Sequence, residues 1–352
     1  MPFRHRCDSK NLFYVFGQQV LLLRLSALLR LARSLLTRHL KIASDRPALR
    51  LQSQRSAFHN DKPRNPHEVQ DDRPHRLSHP ARLHRLCRPR GRLGDTALSY
   101  RYGTKFAEPY IDADISKQVI NFSNVSGYKY GKNFFSIDFL LSDDKDPSAV
   151  GAHGGAHEAY AVYRNTVDLG AVTGAKLGFG PVRSYGVTVG FDMNSKTDAG
   201  YNSKKRMLVA GPTLMFDVPG FLDLSLLALR ESNAPFNGFT QTSTDRYTYK
   251  THAMLSAAWG IPFSLGSIPL SFEGYADYIG TKGRNEFGGP TAVEINVDMQ
   301  IMYDLSPAIG AAKNTLKLGA EYQYWKNKFG NPSDTVPGAT ARTPMVRLEY
   351  HF

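Results

Sequence analysis

The alternation of apolar and polar residues along the C-terminal part of the chain constrains its fold more than any other feature. The final segment, MVRLEYHF, places Val346, Leu348 and Tyr350 on one side and Arg347 and Glu349 on the other. The same period of two runs through VEINVDMQIMYD, TLKLGAEYQYW and NFFSIDFLLS. Side chains alternate in this way on β-strands that have two unlike faces. Segments of about ten residues also have the length of a tilted strand that crosses a bilayer.

Segments with this pattern follow one another from Gly94 to the end of the chain. They predict an all-β fold, a twelve-stranded antiparallel transmembrane β-barrel of the bacterial outer-membrane type. An even number of strands suits such barrels, and closure pairs every backbone group within the membrane. The predicted strands are 96–102, 116–124, 132–142, 157–165, 183–193, 205–217, 221–231, 247–260, 269–280, 291–303, 314–326 and 342–352.

The connections between the predicted strands differ in length on the two sides of the barrel. One side has long connections rich in Gly, Pro, Asn, Asp and Ser, such as SDDKDPSAVGAHGGA, and the other has tight turns such as GYKYGK and DVPGF. On the short side, NTVDLGAVTGAKLGFGPV and GIPFSLGSIP are exceptions. Long external loops and short periplasmic turns are typical of bacterial barrels, so we expect both barrel ends to be periplasmic. A soluble barrel would have to expose its apolar belt to water, which is rare.

The N-terminal quarter has a different composition from the rest of the chain. The chain carries a formal net charge of +13, and residues 1–93 account for all of this excess. Arginines interrupt the apolar run VLLLRLSALLRLARSLL, which is unlike a spanning helix or a signal-peptide core. Three interpretations remain: a disordered basic arm that binds nucleic acid or anionic lipid, an amphipathic surface helix at 20–36, and a segment that is not native coding sequence. We favour the third and expect this segment to contribute little to the fold.

Both cysteines, Cys7 and Cys87, lie in this N-terminal segment. The predicted barrel, 94–352, therefore has no disulfide framework and no thiolate metal site. It also has few histidines, with no close His/Cys cluster. We expect no cofactor, no metal and no nucleic-acid partner for the barrel.

Ionisable and aromatic residues occupy the polar face of several predicted strands, and this face should line the lumen. A narrow pore of this kind suits a planar polar solute better than bulk ions. Carboxylates outnumber bases on these strands, which favours a neutral, hydroxyl-bearing solute over an anion. The simpler interpretation is that such charges only solvate and brace a narrow lumen. The predicted pore-lining residues on strands are Glu158, Tyr160, Arg164, Glu273, Tyr275, Asp277, Glu294 and Asp298.

Three stretches resemble the nucleoside-specific channel-forming proteins of Gram-negative outer membranes, the Tsx-type channels. They are SYRYGTKFAEP, LGFGPVRSYGVTVGFDM and the closing aromatic, Phe352. The resemblance implies a narrow pore with weak successive sites, where bases stack on aromatic rings and sugars bind ionisable residues. Lys105 and Phe106 match the basic and aromatic residues of the family's first-strand motif, so we expect both to bind solute near the external mouth, with the Phe106 ring contacting few neighbours. Phe352 would be read by the barrel-assembly machinery.

Two other functions remain open on the sequence. A general or structural outer-membrane porin would share the same strands and the same lipid partners. An outer-membrane phospholipase would need a serine and a histidine within hydrogen-bond reach. His252 and Ser256 share a strand face but lie four residues apart, which is roughly 13 Å along a strand. We therefore predict a channel rather than an enzyme.

Overall fold

The computed structural model describes residues 94–146, 154–197, 202–237 and 240–352. The interpretations of residues 1–93 fall outside these described residues. Twelve long strands follow one another along the described chain, each 11 to 15 residues in length. They are β1 (Gly94–Phe106), β2 (Ile115–Tyr128), β3 (Gly131–Ser142), β4 (His157–Asp168), β5 (Val182–Lys196), β6 (Arg206–Phe216), β7 (Phe221–Asn233), β8 (His252–Leu265), β9 (Ile268–Ile279), β10 (Glu294–Asp304), β11 (Leu316–Lys326) and β12 (Thr340–His351).

These strands form a closed antiparallel barrel. Each strand pairs with the strands before and after it, and β12 returns to pair with β1. At the closing seam Ala97 lies opposite His351, and Gly103 lies opposite Met345. The predicted twelve-stranded antiparallel barrel is confirmed, and the predicted strand bounds agree with the structure within four residues for every strand except β8.

The prediction for β8 is displaced by five residues along the sequence. The predicted span was 247–260, and the strand is His252–Leu265. Two prolines and two glycines made GIPFSLGSIP look like a long connection, but the chain turns only at Gly266 and Ser267. From Ile261 onward β8 pairs with β9 alone, because its pairing with β7 ends at Gly260. Pro262 is tolerated there because a strand edge does not require its missing N–H.

Connections at the two rims differ as expected. One rim, which we call the short-turn rim, has the connections 129–130, 169–181, 217–220, 266–267 and 305–315. The other, the long-loop rim, has 107–114, 143–156, 197–205, 234–251, 280–293 and 327–339. In barrels of this kind the long loops face the outside of the cell. Below, the six long connections are called L1 to L6 in chain order.

Short elements occupy some of these connections. The helix α1 (Leu169–Thr173) starts at Asp168, whose side chain accepts a hydrogen bond from the Ala171 N–H, and ends at Gly174 in the left-handed conformation. One-turn 3-10 helices lie at Ser306–Ile309 and Lys328–Gly330. Two-residue strands lie at Phe236–Asn237, Thr242–Ser243 and Tyr247–Thr248 in L4. In the described part of the chain, no helix is long and apolar enough to span a membrane.

The outward face of the barrel is an apolar belt. Leu208, Leu226, Tyr278, Ile301 and Val346 are each more than half exposed, and they come from five different strands. On β10 and β11 the alternate residues, which point inward, are mostly polar, as the alternation predicts. Such a belt around a sheet without edges is what a lipid bilayer requires.

A charge placed at mid-height on this belt should destabilise the inserted barrel. Val346→Arg replaces an outward side chain that is 60% exposed at the middle of β12. We expect the free energy of unfolding in lipid to fall by about 2–4 kcal/mol, because a midplane arginine is costly in hydrocarbon. Urea titration in phospholipid vesicles measures this.

Thr340→Arg is the matched control, since it adds the same charge to β12 at the long-loop rim. It should cost no more than about 1 kcal/mol. Equal costs for the two substitutions would contradict a lipid-facing belt.

Candidate functional site in the barrel lumen

The predicted strand residues of the site all lie on the inward faces of their strands. Glu158, Tyr160 and Arg164 alternate with outward residues on β4, as Glu273, Tyr275 and Asp277 do on β9 and Glu294 and Asp298 do on β10. The inward position of these side chains agrees with the alternation argument. Binding of a solute by them remains a prediction.

A central group of these residues meets across the lumen from β4 to β9. Arg164 forms an ion pair with Asp192 on the adjacent β5, and the Tyr160 hydroxyl donates to Asp192 Oδ2 at 3.3 Å. Tyr160 also lies within electrostatic range of Tyr275, and Arg164 within range of Asp277. Two phenols and two carboxylates therefore converge in the middle of the lumen.

Two oxygen atoms in this group have no hydrogen-bond partner among the described residues. They are Asp277 Oδ1 and Asn296 Oδ1, and both are buried. Asp277 and Asn296 lie directly opposite each other on β9 and β10. The amide of Asn296 donates to the Tyr275 hydroxyl at 3.1 Å, which fixes the side chain so that its oxygen is available to another donor. Buried acceptors of this kind normally have a partner, so this pair is the candidate position for a donor from solute or water.

The other predicted residues act at different heights. Glu158 accepts a hydrogen bond from Asn194 at 2.6 Å, near the long-loop rim. Glu273 pairs with Lys317 at 3.1 Å, toward the short-turn rim. Asp298 accepts from the Gln323 amide at 3.3 Å. These carboxylates line the lumen but are already occupied by protein donors.

A buried ion-pair network on β1, β3, β11 and β12 was missed by the sequence reasoning. Arg101 on β1 contacts Asp138 at 2.5 Å and Glu321 at 3.0 Å. Arg347 on β12 contacts Glu321 at 2.9 Å and Glu349 at 2.5 Å. The inward positions of both arginines follow from the same alternation in SYRYG and MVRLEYHF, which is the signal that could have found them. The predicted excess of carboxylates over bases is present on β4, β9 and β10, and arginines on β1 and β12 compensate carboxylates on β3, β11 and β12.

An apolar strip on the inward faces of β6, β7 and β8 was also missed. Met207, Val209, Leu227, Leu229 and Met254 form a buried cluster there. Tyr160 and Ile279 pack against its two sides. The signal in the sequence was present, since MLVAG and LSLLAL are apolar at consecutive positions rather than alternate ones. The lumen therefore has one apolar wall beside the central polar group.

The structure corrects the expected surroundings of Lys105 and Phe106, while solute binding by them stays a prediction. The register of β1 against β2 shifts between Gly103 and Phe106, so a bulge turns Phe106 inward and leaves Lys105 exposed. Lys105 lines a recess of about 470 Å³ with Thr340 and Arg342, which lie on the outward face of β12.

Phe106 is only 5% exposed, and it packs against Ile115, Val119 and Met345. The expectation that this ring contacts few neighbours is therefore wrong. Truncation of Phe106 would leave a cavity, and the ring is covered by neighbours rather than open to a solute.

The long loops close over the external mouth through a buried charge cluster, which we call the mouth cluster: Glu108, Lys117, Asp146, Lys196 and Lys328. Glu108 of L1 contacts Lys117 at 2.5 Å, Lys328 of L6 at 3.1 Å and Lys196 at 3.5 Å. Asp146 of L2 contacts Lys196 at 2.7 Å and Lys117 at 3.2 Å. Their side chains are at most 6% exposed. Three loops and the ends of two strands thus meet at one carboxylate-lysine group.

Burial raises the pKa of Glu108, but the charges of Lys117, Lys196 and Lys328 outweigh this effect and hold the pKa well below its usual range. The carboxylate is therefore ionised wherever the loops are closed.

A second buried group joins L3, β7 and L5. Glu231 contacts Lys205 at 2.6 Å and Lys282 at 2.8 Å. The ring of Phe329, at the tip of L6, lies 4.5 Å from Lys205 Nζ, and its backbone adopts the left-handed conformation at φ 61°. The backbone N–H of Phe329 donates to Glu294 at 3.3 Å. Glu294, one of the predicted pore-lining residues, therefore holds L6 in place.

The packing between L1 and L6 is close at one glycine. Gly338 has a φ of 68°, and a Cβ placed there would lie 2.1 Å from the Glu108 carbonyl oxygen. Only glycine fits this conformation and this approach. L1 and L6 are therefore held together by tightly packed backbone as well as by charges.

The closed sheet, the lipid-facing belt and the polar lumen define an outer-membrane β-barrel. A group of three or more His, Cys, Asp or Glu side chains able to hold a metal ion is absent from the residues that the structure describes.

Comparison with solved structures returns other barrels of this class. The chain is similar to the KdgM porin, with a TM-score of 0.35, 11% identity, and 73% of this chain and 99% of that chain covered. It is similar to the NanC porin, with a TM-score of 0.38, 9% identity, and coverage of 73% and 99%. It is also similar to the β domain of the Bordetella autotransporter BrkA, with a TM-score of 0.36, 12% identity, and coverage of 74% and 99%. No protein-family model matches the chain, and no curated protein matches it.

Removal of the Glu108 charge should open the external mouth. Glu108→Gln leaves three buried lysines to share Asp146, and loss of one member of a buried ion pair costs about 3–5 kcal/mol. We expect a larger single-channel conductance in planar bilayers, with more frequent open events, while the barrel still resists heat on gels.

Asp144→Asn is the matched control, since Asp144 is an exposed carboxylate in the same L2 loop as Asp146. It should leave the conductance unchanged. A Glu108→Gln channel that conducts like the unaltered protein would contradict a charge-held mouth.

The closed mouth should resist mild acid. Because the pKa of Glu108 is depressed below its ordinary value of 4.5, the ion pairs contribute fully above that pH and are lost only as the pH falls through the lowered pKa. Conductance recorded from about pH 7 down to about pH 3 should therefore rise only at the acid end. Opening that is already complete near pH 5 would contradict this assignment.

Proposed function

We propose that the protein is an outer-membrane channel for small, uncharged solutes that carry hydroxyl groups, and that nucleosides are the class its lumen fits. The observation that carries this proposal is the pair of buried acceptor oxygens on Asp277 and Asn296 beside the phenol of Tyr275. Ribose hydroxyls can donate to the two oxygens. A base can stack on a phenol ring, and each stacked base contributes on the order of 1–3 kcal/mol.

The charge distribution of the lumen supports a neutral solute. Arg101, Arg164 and Arg347 each lie against a carboxylate, so none of these three arginines offers a free positive charge to an anion. A channel for a small anion or cation would instead be expected to carry a ring of like charges. Because the lumen arginines are paired, we expect hydrogen bonds at short range to be the main means by which the channel selects its solute.

The apolar strip offers a second kind of contact. It lies beside Tyr160 on one side and Ile279 on the other, so a solute with one apolar face can pass between it and the polar group. Contacts of this kind are weak and adjacent, as passage requires, since a single tight site would trap its cargo. Nucleosides have a flat, weakly polar base and a polar sugar, and so match both walls.

A structural barrel without transport is the second candidate. The observation in its favour is the buried charge at the mouth, where Glu108, Asp146 and Glu231 join five of the six long loops through buried lysines. A phospholipase-like enzyme has less support. The buried ring of His252 has a contact of 2.8 Å with the Lys250 carbonyl, and His351 contacts Asp95 and Glu349, so neither ring is hydrogen-bonded to a serine hydroxyl among the described residues.

Loss of the Asp277 carboxylate tests the nucleoside site. Asp277→Ala removes one of the two free acceptors, and a net hydrogen bond contributes about 0.5–1.5 kcal/mol. The adenosine concentration that half-blocks the ion current should therefore rise by roughly threefold to tenfold. Current block in planar bilayers measures this concentration directly.

Asp217→Ala is the control, because Asp217 is an exposed carboxylate in a turn at the short-turn rim. It should leave the block unchanged. An Asp277→Ala channel that adenosine and thymidine block as they block the unaltered protein would exclude this site and favour a general porin.

A further inference from the structure

Three exposed arginines form a cluster on the outer side of the long-loop rim, which we call the outer arginine cluster: Arg206, Arg230 and Arg246. Arg206 on β6 lies opposite Ser232 on β7, and Arg230 lies two residues before Ser232 on the same outward face. Arg246 of L4 donates to Ser232 Oγ at 3.2 Å and to the Lys204 carbonyl at 3.0 Å. The backbone positions of Arg206 and Arg230 and the hydrogen bond of Arg246 therefore place all three arginines around Ser232.

None of the three arginines is paired with a carboxylate within 4 Å in the part of the chain that the structure describes. Glu231, the neighbour of Arg230, points into the barrel and is held by Lys205 and Lys282. Burial and the charge of Arg206 lower the pKa of Arg246, as expected when like charges are held close together. An arrangement of like charges without an acid is costly unless an external anion occupies it.

The surface just below the cluster is apolar. Leu208 lies directly opposite Arg230 in the strand register and is 62% exposed. Leu226 on β7 is 55% exposed, and Met193, opposite Arg206 on β5, is also exposed. The cluster therefore lies where the apolar belt ends and the head groups of the outer leaflet begin.

We propose that the outer arginine cluster binds the phosphate groups of an anionic lipid in the outer leaflet, with the acyl chains of that lipid against Leu208 and Leu226. Arginine suits this partner because its planar guanidinium binds phosphate oxygens with two parallel hydrogen bonds. Basic residues at the edge of a membrane-spanning segment are a general means of recognising anionic head groups. The proposal does not depend on which solute passes through the lumen.

The other basic recess on this rim is a weaker candidate. It is lined by Lys105 and Arg342, but Asp114 also lines it and offsets part of their charge. The outer arginine cluster has no such acid, and this difference is the reason for assigning the lipid phosphate there.

The test is a lipid-binding titration of the full chain in a neutral detergent, with a diphosphorylated glucosamine lipid as the probe and native mass spectrometry as the readout. The variant Arg206→Gln, Arg230→Gln, Arg246→Gln should bind this lipid about tenfold more weakly or worse, because each cation at an anionic lipid surface contributes to the affinity. The dephosphorylated lipid should bind the unaltered protein and this variant equally weakly. Binding of the phosphorylated lipid should also weaken as salt is added.

The matched control is Lys129→Gln, Lys176→Gln, Lys313→Gln, which removes three exposed positive charges at the short-turn rim. Residues 1–93 are basic in every variant, so only differences between variants count. If the triple arginine variant fails to give a heat-resistant band, Arg246→Gln alone, in a loop, should still weaken binding about threefold.

Three results would overturn the proposal. The first is an unchanged affinity in the arginine variants. The second is an equal loss of affinity in the lysine control. The third is displacement of the lipid by inorganic phosphate at equal phosphate concentration, which would indicate a site for the free anion rather than for a lipid.

Discussion

The pairing of β1 with β12 is the constraint on which the rest of the structure depends. In hydrocarbon each backbone N–H and C=O must find a partner within the protein, and an open sheet would leave two rows unpaired. The seam runs from Ala97 opposite His351 to Gly103 opposite Met345, and the Phe352 N–H donates to the Thr96 carbonyl beyond it. Once the sheet is closed, every second residue must face lipid and the others must face a narrow lumen. The apolar belt and the polar interior are both consequences of this closure.

The narrow lumen explains why so many ionisable groups are paired inside the barrel. A barrel of this size brings side chains from opposite walls within reach of one another, so charges that face inward must be compensated locally. Glu321 forms ion pairs with two arginines, Glu108 with three lysines, and Glu231 with two lysines. The groups nearest the rim join loops to strands, whereas those at mid-height brace the wall. Asp277 and Asn296 differ from all of these because each retains an oxygen that no described residue occupies.

Much of the fold could be predicted because strand alternation is a local property. Segments such as VEINVDMQIMYD reveal which side chains face the lumen without any knowledge of the neighbouring strand. The inward positions of Glu294 and Asp298 followed directly from this pattern. The prediction failed at β8 because prolines are turn signals in a sequence. Pro262 instead lies within β8, beyond the last residue that pairs with β7. It failed at Phe106 because the ring packs against Ile115, Val119 and Met345, and these contacts from β2 and β12 cannot be inferred from the local sequence GTKF.

The mouth could not have been predicted from the sequence. Glu108 and Lys328 are 220 residues apart, and loops have no periodicity that would place one beside the other. Their contact depends on the closed barrel, which brings L1 and L6 to adjacent positions at the rim, and on Gly338, which allows the two backbones to touch. The apolar strip inside β6 and β7 is an intermediate case, since its residues were visible in the sequence but a fully apolar run does not show which face is inward.

The measurement that tests the account most directly is the swelling of liposomes that contain the protein, in nucleosides and in sugars of similar size. If the polar group around Asp277 and the apolar strip beside it select the solute, adenosine and thymidine should enter faster than sugars of equal or smaller size. Rates that depend on size alone would indicate a general porin. An absence of swelling in every solute would contradict transport altogether and would leave a structural barrel whose loops stay closed.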